Sequence, residues 1–261
     1  MTHTFLARLQ FDGTGFVGWQ RQAKGRSVQA EVERVLERLC GRRIVAHGAG
    51  RTDAGVHAVG MGVSFSAPAK WTPVALRKAM NALLAKECWV ESVTLMVPGF
   101  HARKSATGRR YRYLIGTDDG ASSPFRRKYE WALGRPLDRR RLDEAAATIR
   151  GRHDFRAFAV KGEPKPHWEC DVRVAEWEVR PRGEGMTLHI AADRFLHHMV
   201  RMLVGTMVDI ALERRPADDM GRLLAAKENS ETSPPAPPQG LYFVAADYPT
   251  ESFADPALPP S

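Results

Sequence analysis

The chain is poor in cysteine. Its 261 residues hold three, Cys40, Cys88 and Cys170, an odd number too widely spaced for a disulfide framework or a CxxC metal pair. Free thiols at that spacing suit a reducing cytosol. No basic segment followed by an apolar run opens the sequence, so no signal peptide is expected. No uncharged apolar run is long enough to span a bilayer, and a cytoplasmic protein with no membrane partner is expected. The sequence also lacks a Gly-x-Ser-x-Gly nucleophile elbow and a His-Glu-x-x-His zinc helix, which removes the commonest hydrolase readings. Acidic residues are in deficit, 30 against 39 Lys and Arg, for a formal net charge of +9. A surplus of that size favours a polyanionic partner, although a merely soluble basic protein fits the charge equally well.

Hydrophobic residues make up 43% of the chain, enough to bury a sizeable core and to exclude wholesale disorder. Phe5, Ala7, Leu9 and Phe11 alternate with Leu6, Arg8 and Gln10, which predicts a strand. A helix is predicted from the cap Ser27 to Gly41, with Val28, Val32, Val35, Leu36 and Leu39 on one face. Short strands are expected at Ile44 to Ala49 and Gly62 to Phe65. A second helix follows Thr72-Pro73, and a strand runs from Trp89 to Val97. The second half repeats the mixture: a strand at Arg110 to Ile115, a helix at Asp138 to Arg150, and a strand pair at Val172 to Val179 and Met186 to Ala192. Helices at Leu196 to Leu212 and Ala217 to Ala226, a stiff proline-rich connector at 234–238 and a strand at Leu241 to Ala245 complete it. Hairpins without a regular βαβ rhythm point to an α+β fold with largely antiparallel sheet. Its expected parts are 1–104, 105–248 and a flexible tail, 249–261, with little to bury.

Asp53 lies in Gly50-Arg51-Thr52-Asp53-Ala54-Gly55-Val56-His57. Glycines on either side permit tight turns that aim a carboxylate, and Arg51 favours its ionised form, which is a usable nucleophile or base. Alone, the segment reads more readily as an Asx-turn or a helix cap. From Phe100 to Tyr113 the cations Arg103, Lys104, Arg109, Arg110 and Arg112 are interleaved with aromatics. Such a mixture neutralises phosphates and stacks on unpaired bases, or forms an ordinary solvated strand face. His197 and Arg201, four apart on the predicted Leu196 helix, share a face. The His197-His198 pair invites a zinc reading, but no third or fourth ligand stands at suitable spacing, and no metal is expected. Gly205 permits close approach of another backbone. Gly13-Thr14-Gly15-Phe16-Val17-Gly18 lacks the third glycine and helix of a dinucleotide fingerprint and the lysine of a P-loop. It reads as a loop whose neighbours Trp19, Gln20 and Arg21 contact RNA.

In order along the chain stand Phe11-Asp12-Gly13-Thr14, Gly18-Trp19-Gln20-Arg21-Gln22, the Asp53 segment, Phe100-His101-Ala102-Arg103, Arg110-Tyr111-Arg112-Tyr113, Gly151-Arg152-His153-Asp154-Phe155, Phe195-Leu196-His197-His198-Met199-Val200-Arg201 and Gly240-Leu241-Tyr242. Together they resemble the bacterial tRNA pseudouridine synthase A family over nearly the whole chain. The resemblance implies two similar α+β halves whose antiparallel sheets join around a cleft, and a homodimer. It implies isomerisation of uridine to pseudouridine at positions 38, 39 and 40 in the anticodon arm of tRNA, without a metal or organic cofactor. It implies that Asp53 is the essential carboxylate, Tyr111 an active-site tyrosine, Arg51 and Arg201 its neighbouring cations, and Leu241 a wall of the pocket. The substrate-binding candidates are Tyr111, Leu241, Arg21, His57, Arg103, Arg110 and His197. Four places depart from the family: Arg194 stands where a small or polar residue is usual, Lys165 to Cys170 matches poorly, and the proline-rich approach to Leu241 and the tail after Pro249 differ or extend. Rival readings are a non-catalytic tRNA-binding protein, a nucleotide-binding enzyme using the Asp12 to Gly15 loop, and a synthase acting at another tRNA site.

Overall fold

A computed structural model describes residues 1–160, 167–226, 228 and 230–255. Most of the poorly matching Lys165 to Cys170 stretch is described; residues 161–166, and 256–261 of the expected tail, lie outside it. The chain divides into two compact units, one formed by Met1–Gly108 with the chain from Tyr242 onward, the other by Arg109–Leu241. The expected α+β class is what the structure has.

The first unit opens with strand β1 (Thr2–Phe11), helix α1 (Val28–Cys40), strands β2 (His47–Gly48) and β3 (His57–Pro68), helix α2 (Pro73–Leu83) and strand β4 (Cys88–Met96). β1 lies between β4 and β3, antiparallel to both. Phe5 faces Phe65 in the β1–β3 register, their rings stacked at 6.0 Å. Phe5, Leu6 and Ala7 are buried in succession, so β1 is covered on both faces at this point and the simple alternation fails. Ser27 caps α1, its hydroxyl accepting from Ala30 N at 3.3 Å, and Gly41 ends it at φ 70°. The stripe Val28, Val32, Val35 and Leu36 is fully buried. Thr72 caps α2 through Ala75 N, 3.2 Å, with Pro73 as the first helical residue. α2 packs on β4 and α1, burying Leu76 and Met80 completely.

Two expectations change here. The strand expected at Ile44 to Ala49 shrinks to β2, because the buried Glu33 side chain accepts from Ala46 N at 3.1 Å and replaces a ladder bond. β3 is far longer than Gly62 to Phe65. Its pairing with β1 carries it through Gly60 and Gly62 to Ala58, so sheet context overrides the weak strand preference of glycine.

The second unit carries strand β5 (Gly108–Gly116), strand β6 (Trp131–Ala132), helix α3 (Arg139–Thr148), strands β7 (Gly151–Asp154), β8 (Glu169–Val179) and β9 (Gly185–Ala192), and helices α4 (Met199–Ala211) and α5 (Asp219–Ala225). Its sheet runs β5-β9-β8-β7, all antiparallel, with β6 parallel on β5. Strand β10 (Leu241–Asp247) then returns the chain to the first unit, where Tyr242 and Phe243 pair in parallel with His57 and Ala58 of β3. β6 and β7 were not foreseen: one has two residues, and the other, Gly-Arg-His-Asp, has no apolar position to signal it. α3 packs on α4 and β8. α4 is buried nearly all round, with only Arg201 and Asp209 half-exposed, as expected of a helix apolar on every face.

Two further expectations are corrected. The helix foreseen from Leu196 starts at Met199, because His198 sits at φ 64°, in the left-handed region. A non-glycine residue there interrupts the helix, so His197 and Arg201 do not share a helical face. The tail foreseen from residue 249 is anchored through its first part. Thr250–Ser252 forms a turn of 3-10 helix, Phe253 is 5% exposed and bridges to Met96, and Ala254 N donates to Leu95 O at 3.1 Å.

A Cβ on Gly205 of α4 would lie 2.3 Å from the carbonyl oxygen of Pro234, so the proline-rich segment crosses this buried helix in direct backbone contact. Overpacking of this kind costs about 1–3 kcal/mol. Gly205→Ala is therefore expected to lower the urea midpoint without changing the slope of the transition. An unchanged midpoint would show that the two backbones separate freely.

Candidate active site

Asp53 is half-buried, on a loop whose backbone is gripped from the side. Trp19 N donates to Thr52 O at 3.1 Å and Gly55 N to Phe16 O at 3.4 Å, while Val56 N closes the turn on Asp53 O at 3.2 Å. Gly18 has φ 104°, and a Cβ there would stand 2.4 Å from Thr52 O. The gripping loop is itself fixed by α1. Helix starts carry amide N–H groups without intrahelical partners, and here Val28 N and Gln29 N donate to Gly18 O (3.2 Å) and Trp19 O (3.0 Å). Trp19, 3% exposed, lies against Gly48 of β2, where a Cβ would fall 2.5 Å from the indole. The stretch that superficially looked like a nucleotide loop is the wall against which the Asp53 loop is set.

His57, a substrate-binding candidate, is 2% exposed and acts as a pillar. Its Nδ1 accepts from Gly13 N at 3.0 Å, which requires that nitrogen to be unprotonated. Its ring stacks on Tyr242 at 4.9 Å. Asp12 stands 3.3 Å away, its Oδ1 accepting from Thr14 N (2.9 Å) and Thr14 Oγ1 (2.6 Å). Arg51 is exposed beside Asp53. Arg21, another candidate, is ion-paired with Glu33, a buried carboxylate that also accepts from Gln29 Nε2 at 3.0 Å. Arg103 is exposed on a loop fixed by His101, whose Nδ1 accepts from Arg103 N at 3.1 Å. His101 stacks on His47 at 4.4 Å. Burial, with the nearby His47, Lys104 and Arg103 charges, holds the His101 imidazole below its ordinary range.

In the second unit Tyr111 stands on β5 opposite Ile190 of β9. It is 9% exposed and packs edge-on against Phe195 at 5.1 Å. Arg110 beside it is exposed. Arg201 projects from α4 and its Nε donates to Ala236 O at 2.7 Å, while Ala236 N donates back to Arg201 O at 2.9 Å. Tyr113, fully buried two residues after Tyr111, donates its hydroxyl to Pro237 O at 2.7 Å. Burial pushes that phenol well above its usual range, against the opposing pull of Arg201. The proline-rich segment is thus tied to both α4 and β5 and delivers Leu241, 6% exposed, to the start of β10. His197 is exposed and lies off the helix, its ring 4.2 Å from that of His198.

The structure groups the candidates within each unit: Arg51 and Asp53 share one loop that runs into His57 at the start of β3, and Arg201 and Leu241 sit at the two ends of one backbone tie. Residues unassigned by sequence reasoning now have positions in it. Thr52 and Gly18 form the contact that sets Asp53, Phe195 braces Tyr111, and Ala236 holds Arg201. The available signals were the glycine flanked by Val17 and Trp19, and a single alanine flanked on both sides by proline pairs.

A family model described as tRNA pseudouridine synthase matches residues 7–96 and 145–249. Among curated proteins, the tRNA pseudouridine synthase A of Moorella thermoacetica is 39% identical, across 92% of this chain and 97% of the relative. That of Myxococcus xanthus is 38% identical, across 92% and 90%, and that of Methylocella silvestris 38%, across 94% and 98%. A match of this extent defines the class first: an isomerase that modifies tRNA. The chain belongs to the tRNA pseudouridine synthase family.

Because a Cβ at residue 18 meets a carbonyl rather than a flexible side chain, Gly18→Ala must move the Asp53 loop. A displacement of about 1 Å at a reacting group costs on the order of 100-fold in rate. With Asp53 as the candidate reacting group, the variant is expected to lose that much kcat while still binding tRNA. Full turnover in a folded Gly18→Ala protein would mean the loop does not need this wall.

Proposed function

We propose that the protein isomerises uridine to pseudouridine at positions 38, 39 and 40 in the anticodon stem-loop of tRNA, with Asp53 acting on a flipped-out nucleotide. The observation that supports this most is the setting of Asp53: a half-buried carboxylate on a loop held by backbone bonds to Phe16 and Trp19. A carboxylate fixed in that way loses little orientational freedom when it meets the substrate.

The reaction breaks the C1′–N1 bond, turns the base, and joins C1′ to C5. A stacked base has no room to turn, so the nucleotide leaves the stack first. The ionised Asp53 carboxylate then starts the chemistry, by attack on the ribose or base or by taking the 2′ proton to give a glycal. Each route ends with C5 bonded to C1′, the C5 proton lost, N1 protonated and Asp53 regenerated, so the atoms balance without a co-reactant. Arg51 and Arg201 are the cations assigned to stabilise negative charge during the reaction. Tyr111 and Leu241 supply apolar surface for the base. A phenol with an ordinary value near 10 is a poor base at neutral pH, so packing is the role assigned to Tyr111. Arg103, Arg110 and His197 are exposed and suit contacts with the RNA backbone. His57 and Arg21 act at one remove, through Gly13 and Glu33.

The same reading places the protein in the cytoplasm as a homodimer. Cys40, Cys88 and Cys170 form no disulfide with one another, which agrees with a reducing compartment. Among the described residues no helix is long and apolar enough to cross a membrane.

Asp53→Asn changes a charge without changing shape. It is expected to keep the fold and tRNA affinity and to reduce tritium release from tRNA labelled at uridine C5 to background; near-normal release would sink the role of Asp53. Pseudouridine mapping in tRNA from cells with and without the gene is expected to show loss at positions 38, 39 and 40, and loss confined to another arm would move the target. Sedimentation as a monomer at micromolar concentration would remove the homodimer.

A further inference from the structure

Phe125 is 87% exposed, among the described residues second only to Met1 of the large hydrophobic side chains. It does not stand on a slack loop. Ser123 O accepts from both Arg126 N (3.0 Å) and Arg127 N (2.9 Å), Tyr129 N donates to Arg126 O (2.8 Å), and Ser123 Oγ accepts from Phe125 N (3.3 Å). Arg126 clamps this turn to its surroundings: its Nη1 and Nη2 donate to Asp118 at 2.8 and 2.9 Å, and Nη2 also donates to Glu184 O at 3.1 Å. Glu130, buried at the end of the turn, is ion-paired with Arg126 and Arg180. The turn is thereby joined to the β8–β9 connection, where Arg182 is exposed at φ 60°. Tyr129 (41%) and Val179 (53%) are exposed beside these anchors, as are Arg127 and Lys128. Scattered exposed hydrophobics need no explanation. A rigidly held aromatic with exposed cations on both connected turns has the two components that bind nucleic acid: a stacking face and phosphate neutralisation.

We infer that the 123–129 turn, with Arg182, is a second tRNA contact, in which Phe125 stacks on an unpaired base and Arg127, Lys128 and Arg182 meet the neighbouring phosphates. The base is not the one that reacts. Gly116 stands five positions beyond Tyr111 on β5, about 17 Å at strand rise, and the turn lies beyond that end. A second copy of the chain fits this surface less well. A two-fold contact sets a patch against itself and would oppose the same three cations. The inference rests on tRNA being the substrate and is independent of which uridine reacts.

The test uses the full chain and an unmodified full-length tRNA transcript. Phe125→Ala removes a side chain that packs on almost nothing, so its melting temperature serves as the folding control. Removing one base–aromatic stack is expected to raise Kd and KM on the order of ten-fold, with kcat at saturating tRNA unchanged. Arg127→Gln with Lys128→Gln is expected to reduce the slope of log Kd against log salt by roughly one for each phosphate no longer neutralised. Unchanged Kd and KM in Phe125→Ala would overturn the inference. So would a change in sedimentation of that variant, which would make the turn an interface between copies. Failure of the unsubstituted protein to bind tRNA would overturn the substrate reading together with this one.

Discussion

The site depends on one backbone contact, the hydrogen bond from Trp19 N to Thr52 O at 3.1 Å. It is possible only because residue 18 has no side chain: at φ 104° and 2.4 Å from that same carbonyl, a Cβ has nowhere to go. Everything around the contact keeps it in place. The first amides of α1 hold Gly18 and Trp19 from behind, and the Trp19 indole lies on Gly48 of β2. The Gly13 amide is pinned to His57, whose ring rests on Tyr242. The Asp53 carboxylate, proposed to start the chemistry, is positioned by main chain and apolar packing, with few long flexible side chains involved. Such groups lose little entropy on ordering and hold a geometry more firmly than surface ion pairs do.

The second unit fixes its candidates by a related device. α4 is so apolar that its single arginine needs a partner. Ala236 O supplies it at 2.7 Å, and Pro237 O takes the Tyr113 hydroxyl at 2.7 Å. Proline has no amide hydrogen and a fixed φ, so four prolines in a five-residue run cannot form ladders of their own. Their carbonyls remain available to bond side chains. The segment is therefore a backbone splint between α4 and β5, and its stiffness is what makes the position of Leu241 definite.

Much of this was legible in the sequence where local chemistry and periodicity agree. Ser27 and Thr72 cap the helices expected of them, and Gly205 meets a foreign backbone. What was illegible depended on partners distant in sequence. β7 has no apolar residue and exists because β8 offers an edge to pair with. Glu33 dissolves most of a strand by bonding Ala46 N from 13 positions away. The apolar period continues smoothly through 196–198, so nothing in it marks the left-handed backbone of His198 that delays α4. In the site, motif matches picked out His57 and Arg21 together with Asp53, but they could not separate residues facing substrate from residues holding a loop. Burial and hydrogen-bond direction make that distinction: His57 is 2% exposed, with its Nδ1 committed to Gly13.

The return of β10 to the first unit carries a consequence for synthesis. Arg109–Leu241 is continuous in sequence, whereas the unit that bears Asp53 is completed only by the chain from Tyr242 onward. Domains tend to fold as their residues leave the ribosome, earliest first, and that order is inverted here. The later-made unit has all its strands before the earlier one does. Until Tyr242 emerges, His57 lacks its stacking partner and β3 its parallel neighbour; until Phe253 emerges, Met96 at the end of β4 lacks its bridge. The loop carrying Asp53 is thus among the last parts of the nascent chain to become rigid, so a truncated product would retain the aspartate without its complete support.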